Sequence, residues 1–260
     1  MHRSRDPSPG RPLVIAHRGA SAEHPENTPA AFAAAAQAGA DLVELDARIT
    51  ADGVVVALHD IDLERTTDVR GAVHAMPLEE VKRADASGGR GPRQEVPTLV
   101  EVLELLRGTG TGVDVEIKNL PGEPSFEPGG AAIVEAVLEA LGGFPGPALV
   151  TSFDPSSLRT ARAMAPGIAT GLLTLGAEGP HAALDLALEE GHPWLLPHVV
   201  AVDRDGDGLL RAARERGIAV GTWTVDEEAA IERLFARGVA AVATNRPALG
   251  VAVRDRVAAP

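Results

Sequence analysis

Three features of the sequence predict an α/β chain closed into a (β/α)8 TIM barrel. Its 260 residues suit one such barrel. Short β-branched runs alternate with helical patterns through about eight steps, the mark of a parallel sheet. No Gly-rich dinucleotide fingerprint follows the first run, which argues against a doubly wound sheet.

The strand-like runs are 13–16, 42–47, 54–58, 113–117, 148–152, 168–174, 194–202, 218–224 and 239–244, nine runs for eight barrel positions. The surplus is explained by the turn Thr50-Ala51-Asp52-Gly53, which is too short for a parallel crossover and predicts a β-hairpin after the second strand. Several helices have readable ends. Thr28-Pro29 opens one that Gly39 closes, and Thr98 with Glu101 forms a capping box for a helix stopping at Gly108. Asp154-Pro155 opens another, and Asp226 with Glu227 and Glu228 starts a last clear helix that Gly238 ends. Residues 60–97 are polar and rich in Gly, Arg and Pro, with a weak helical patch over 77–83, and are expected as a small insertion. The domain reading is a disordered lead-in at 1–12, one barrel over 13–250 and a C-terminal tail at 251–260.

Composition narrows the function classes. Lys and Arg number 24 against 37 Asp and Glu, a net charge of −13 that argues against general binding of nucleic acid or anionic membrane. The absence of cysteine excludes disulfides, thiolate metal sites and cysteine nucleophiles. No run reaches the roughly 18–20 apolar residues of a membrane-spanning helix, and the start has no apolar h-region, so a cytoplasmic location without stable membrane association is expected. Oligomeric state is not specified by the sequence.

Candidate chemistry concentrates at strand ends. Glu44 and Asp46 lie two apart on a strand and share a face, and Glu116 and Lys118 repeat the spacing on another. Ionised carboxylates flanked by Leu42, Val43 and Leu45 require a partner, either a hard divalent cation such as Mg²⁺ or Ca²⁺ or an ion pair of Glu116 with Lys118 or Arg48. His17-Arg18-Gly19 follows the first strand, at the rim where barrel enzymes keep their active sites, and His59-Asp60 ends the hairpin. Two imidazoles there suit acid and base roles, and Arg18 suits a phosphate. Trp223, at the end of a late strand, suits either a small substrate or core packing. The run Asp203-Arg204-Asp205-Gly206-Asp207-Gly208 imitates half a calcium loop but has Arg214 where the bidentate acid belongs, and reads as a turn with helix caps.

Taken in order, these residues resemble the glycerophosphodiester phosphodiesterases. The matching stretches are His17-Arg18-Gly19, Pro25-Glu26-Asn27-Thr28 and Glu44-Leu45-Asp46, then His59-Asp60, Arg65-Thr66-Thr67-Asp68, Glu116-Ile117-Lys118 and Trp223-Thr224-Val225. The likeness spans nearly all of 13–248. It departs at Asn245, where the family usually has Asp, and at Ala240-Ala241. The resemblance implies one divalent ion, Mg²⁺ or Ca²⁺ with Mn²⁺ a third candidate, held by Glu44, Asp46 and Glu116. It further implies His17 and His59 as the general acid/base pair, Arg18 and Lys118 on the phosphate, and Trp223 on the glycerol portion. The implied partner is a small glycerophosphodiester, cleaved to sn-glycerol 3-phosphate and an alcohol. Two alternatives stand beside it: a phospholipase-like enzyme acting on a lipid headgroup, and a non-catalytic phosphodiester-binding barrel.

Overall fold

The computed structural model describes residues 11–177 and 179–258. In chain order the elements are β1 (Leu13–Ala16), α1 (Pro29–Gln37), β2 (Leu42–Ile49), β3 (Val55–Ala57), α2 (Leu78–Val81), α3 (Leu99–Leu106) and β4 (Gly112–Ile117). They continue with α4 (Ala131–Leu141), β5 (Ala148–Ser152), α5 (Pro155–Met164), β6 (Ala169–Thr174), α6 (Pro180–Glu189) and β7 (Trp194–Pro197). The chain closes with α7 (Val199–Asp205), α8 (Gly208–Glu215), β8 (Ala219–Thr222), α9 (Glu228–Ala236), β9 (Ala241–Thr244) and α10 (Pro247–Val257).

Eight parallel strands close into a barrel in the order β1-β9-β8-β7-β6-β5-β4-β2, and β1 pairs back onto β2. The fold class is therefore the (β/α)8 barrel. β3 lies outside it, antiparallel to β2 with Arg48 opposite Val56. The hairpin turn is held by Thr50, whose amide donates to the Val54 carbonyl at 3.0 Å, and by Gly53 in the left-handed region at φ 82°.

Strand alternation sorts the core into two shells. Outward residues such as Val14, Val43, Val115, Val150, Leu195 and Val242 pack against the helices. Inward residues, among them Ile15, Leu42, Leu149, Leu173, Trp194 and Leu196, fill the barrel. The lumen is thus largely a packed apolar floor, with polar groups concentrated toward the strands' C-terminal ends. The insertion after β3 carries its own small cluster of Val56, Leu58, Leu63, Val73, Val81, Ala84, Ala86 and Val96. Its expected helical patch is α2.

The helix starts follow local chemistry. Thr98 and Glu101 exchange both bonds of a capping box at α3, and Asp154 accepts from the Ser156 and Ser157 amides at α5. Three expectations need correction. The run 194–202 is strand only to Pro197; His198 then caps α7 through its ring nitrogen, so the β-branched Val199, Val200 and Val202 are helical. Asp226 does not cap the helix it precedes: Glu227 holds the N-cap position of α9, and Asp226 bonds Thr244 and Asn245 instead. The stretch 251–260, expected as a tail, is helix as far as Val257, with Val253 buried and Arg254 Nη1 2.6 Å from Asp41 Oδ2. Tertiary contacts decide this end: sequence offers no cap there, whereas Asp41 offers a counter-ion to the buried Arg254. The lead-in expected at 1–12 falls mostly outside the described residues.

Because Arg254 is almost fully buried on Asp41, Arg254→Ala is expected to lower unfolding free energy by about 1–3 kcal/mol in urea denaturation, through loss of one of the carboxylate's two arginine partners and of the packing of the buried side chain. A loss under a few tenths of a kcal/mol would mean Arg11, 2.7 Å from the other oxygen of Asp41, suffices alone.

Candidate active site

The parallel register of β2 and β4 sets Asp46 opposite Glu116 and Glu44 opposite Asp114. All four side chains are buried, and Asp46 is 0% exposed. One carboxylate oxygen from each of Glu44, Asp46 and Glu116 lies within 4.8 Å of the others. These three are the one such acidic group among the described residues.

Two cations and an amide surround the triad. Lys118 Nζ lies 2.5 Å from Glu116 Oε1 and 2.9 Å from Asp46 Oδ1. Arg18 Nε is 3.1 Å from Asp46 Oδ2, and the Arg18 backbone amide donates to Glu44 Oε2 at 2.7 Å. Asn27 Nδ2 donates to Asp46 Oδ2 at 2.7 Å. Arg18 and Asn27 both adopt the left-handed conformation at φ 56°, uncommon for residues with a Cβ and costing of order 1–3 kcal/mol each. That geometry turns the amide of Arg18 and the side chain of Asn27 onto the acids. Gly19 completes the loop at φ 81°, where a Cβ would come within 2.6 Å of the Ala31 carbonyl carbon.

The triad suits a hard cation. Glu44 Oε1 is a buried oxygen that accepts no hydrogen bond, whereas Asp46 Oδ1 is faced by Lys118 Nζ, and a buried acceptor without a partner is costly unless something charged faces it. Burial, then repulsion from Asp46 and Glu116, raises the Glu44 carboxyl well above its ordinary range. Burial also raises Glu116, against the pull of Lys118. Asp46 goes the other way: burial opposes its charge, but Lys118 and Arg18 outweigh it and hold the group low. One layer deeper, burial pushes Asp114 up to about 7 while Thr151 Oγ1 donates to it at 2.8 Å. Three carboxylates facing two cations leave an acidic surplus, so the triad could hold a metal ion.

Both histidines stand beside this cluster. His17 Nδ1 is 2.8 Å from Asn245 Oδ1, and His59 Nδ1 is 2.6 Å from Asp60 Oδ1. Each partner atom can only accept, so each Nδ1 carries hydrogen and each Nε2 is left for a reacting group. Burial lowers the pKa of both rings, reinforced by Arg18 at His17, and opposed at His59 by Asp46 and Asp60. Trp223 spends its indole N–H on the Leu196 carbonyl at 2.8 Å, leaving its ring to apolar contact. Phe153 and His198 meet that ring edge-on, with centroids at 5.5 and 5.0 Å.

All eight residues singled out by sequence belong to this rim: His17, Arg18, Glu44, Asp46, His59, Glu116 and Lys118 on one side, Trp223 across from them. The Glu116–Lys118 pair is present too, whereas Arg48 pairs with Glu123 at 2.6 and 3.0 Å. Sequence reading assigns no role to Asn27, Glu26 or Arg65. Arg65 holds Glu26 and Asp60 together, at 2.7 and 2.5 Å, and Glu26 also takes Arg18 at 2.9 Å, so one ring of charges braces both His59 and Arg18. Their only signal is membership in the family-like stretches around 25–28 and 65–68. The calcium-like run is accounted for by ion pairs: Asp203 with Arg233 and Arg237, Asp207 with Arg237.

Residues 17–249 match the sequence profile described as the glycerophosphoryl diester phosphodiesterase family. The chain belongs to that family. It is an enzyme of the phosphodiester hydrolase class, whose reaction is cleavage of glycerophosphodiesters. A glycerophosphodiester phosphodiesterase of Caldanaerobacter subterraneus subsp. tengcongensis is 36% identical over 241 residues, 90% of this chain and 94% of the relative. One from Bacillus subtilis is 32% identical over 93% of this chain and 86% of its own length. Among solved structures, an Oleispira antarctica phosphodiesterase in complex with the product sn-glycerol-3-phosphate superposes with a TM-score of 0.84 at 30% identity, covering 94% of this chain and 97% of that one. The glycerophosphodiester phosphodiesterase of Thermotoga maritima gives 0.76 at 27% identity, covering 94% and 98%.

The raised carboxyls carry a pH consequence. A carboxyl whose native pKa exceeds its unfolded value binds more protons folded than unfolded between the two, so stability falls as pH rises through that interval. For Asp114 the interval runs from 3.8 to about 7, and Glu44 and Glu116 act in the same sense. The lowered imidazoles of His17, His59 and His192 act in the opposite sense below 6.5, so the carboxyl contribution is read by comparison: the metal-stripped protein is expected to lose more thermal stability between pH 5 and pH 7 than Asp114→Asn does. A divalent cation should recover most of the loss, and recover less of it in Glu44→Gln. Calorimetry showing the same pH dependence with and without the Asp114 carboxyl would contradict the assignment.

Proposed function

We propose that the chain hydrolyses small glycerophosphodiesters, such as glycerophosphocholine or glycerophosphoethanolamine, to sn-glycerol 3-phosphate and an alcohol, by two-histidine acid/base catalysis with one divalent ion. The observation that carries this reading is the buried triad of Glu44, Asp46 and Glu116, with Glu44 Oε1 left without a partner, set beside two imidazoles that both keep Nε2 free. Mg²⁺ or Ca²⁺ is the fitting ion because its ligands would be hard oxygens of Glu44, Asp46 and Glu116. When bound it would polarise a phosphoryl oxygen and offset developing charge. The product complex of the Oleispira antarctica relative supports a small-molecule substrate.

The chain's own residues supply the rest. Arg18 and Lys118 present cationic donors to the phosphate. One histidine takes the proton of the attacking oxygen through Nε2 while the phosphorus–oxygen bond to the alcohol breaks, and the other gives its proton to the departing alkoxide. The Asp60 contact favours the charged form of His59, against its burial. Trp223 and Phe153 form an apolar wall against which the glycerol carbons pack.

A second reading, a lipid-like diester bearing an apolar chain, is favoured by one observation: Leu175 and Val200, 68% and 52% exposed, follow β6 and β7 on the same rim. Lysophosphatidylcholine offered against glycerophosphocholine, with liposome sedimentation alongside, separates the readings. Preference for the former with sedimentation would displace the small-substrate assignment.

The direct test is release of glycerol 3-phosphate from glycerophosphocholine by metal-stripped protein given Mg²⁺, Ca²⁺ or Mn²⁺, with an EDTA control. Release should depend on metal, and Asp46→Asn should weaken metal affinity and turnover together, by roughly 100-fold or more in kcat/KM. His59→Ala should lose roughly 100-fold or more in kcat with metal affinity kept. Full activity in EDTA, or unchanged kcat in His59→Ala, would refute the corresponding role.

A further inference from the structure

Asp226 stands outside every role assigned so far, and its contacts converge on His17. Its Oδ1 accepts the Asn245 backbone amide at 2.7 Å and the Thr244 hydroxyl at 3.0 Å. Its Oδ2 accepts Asn245 Nδ2 at 2.6 Å. A carboxylate can only accept here, so the Asn245 amide must turn its nitrogen to Asp226 and its oxygen the other way. That oxygen lies 2.8 Å from His17 Nδ1 and 2.8 Å from Ser21 Oγ. The backbone clamps the same geometry, since the His17 amide donates to the Thr244 carbonyl at 2.9 Å.

We propose that Asp226 is a positioning residue which, by orienting the Asn245 carboxamide, holds His17 as its Nδ1–H tautomer with Nε2 turned to the reaction. The control is exerted over two links and needs no ionisation change. An unconstrained Asn245 can flip and offer Nδ2–H to His17, which would then place its hydrogen on Nε2 and lose its capacity to accept a proton there. Asp226 removes that alternative, because a flip would bring Asn245 Oδ1 against its carboxylate. The inference rests on the proposed acid/base role of His17, and its test separates the two.

The experiment reads tautomers directly, by long-range ¹H–¹⁵N correlation spectra of histidine-labelled, metal-stripped protein above the ionisation of His17, with His17 identified by loss of its signals in His17→Gln. The unmodified protein should show a pyrrole-type Nδ1 and a pyridine-type Nε2. Asp226→Asn should shift His17 toward the opposite tautomer and lower kcat at least tenfold, with KM changed less than threefold. Exchanging the groups in the double variant Asp226→Asn with Asn245→Asp puts an acceptor back on Nδ1 and a donor behind it, and should restore the original tautomer with part of kcat. Asn245→Ala, which removes the acceptor altogether, gives the same reading should the Asp226→Asn variant fold poorly: the Nδ1–H preference should be lost. An unchanged Nδ1–H signature in Asp226→Asn or Asn245→Ala overturns the proposal. Full turnover in His17→Gln would instead remove His17 from catalysis while leaving the tautomer result standing.

Discussion

Lys118 Nζ lies between the carboxylates of Asp46 and Glu116, and much of the rim is arranged around keeping charge at that point. A fully buried carboxylate is too costly without compensation, and Asp46 receives it from Lys118, Arg18 and Asn27 together. Supplying it constrains the backbone nearby. Arg18 and Asn27 must both sit at φ 56°, and Gly19 must let the loop close on Ala31. Strain of this kind persists only where the surroundings over-determine it, and here the compensating charges are what over-determine it. Even so the acids are left in surplus: burial and mutual repulsion raise Glu44 and Glu116, and Glu44 Oε1 has no partner. A site so built is poised for a cation rather than completed without one.

The barrel interior divides the labour. Ile15, Leu42, Leu149, Leu173 and Leu196 fill the lumen and exclude water from below. Above them the rim has two unlike halves. Strands β1, β2 and β4, with the end of the hairpin, carry the charged groups. Strands β5 and β8, with the start of α7, bring together Phe153, Trp223 and His198. A glycerophosphodiester has the same duality, an anionic centre beside a short carbon skeleton. Behind the charged half, Arg65, Glu26 and Asp60 link His59 to Arg18, so side chains from the hairpin and from the loop after β1 are held by one network.

The two-residue spacing of Glu44 with Asp46 and of Glu116 with Lys118 is legible because strand alternation is strictly periodic; side chains two apart must share a face. The hairpin is legible because a four-residue turn cannot serve a parallel crossover. Asp226 misleads for a physical reason: an acid before Glu227 and Glu228 is locally a good helix cap, and only the arrival of Thr244 and Asn245 from a strand 18 residues later offers it stronger partners. Val199 to Val202 mislead because β-branching is a weak preference that a Pro197 stop and a His198 cap override.

Fold class, strands, acidic triad and the two histidines can all be read from the chain alone, because each depends on periodicity or on residues adjacent along it. What faces those groups is set by barrel closure: the Asp46 to Glu116 register, Asn27 on Asp46, Asn245 on His17, Asp41 on Arg254. Those pairs are separated by 19 to 228 residues, and no local rule can specify a hydrogen-bond partner that only the closed barrel brings within reach.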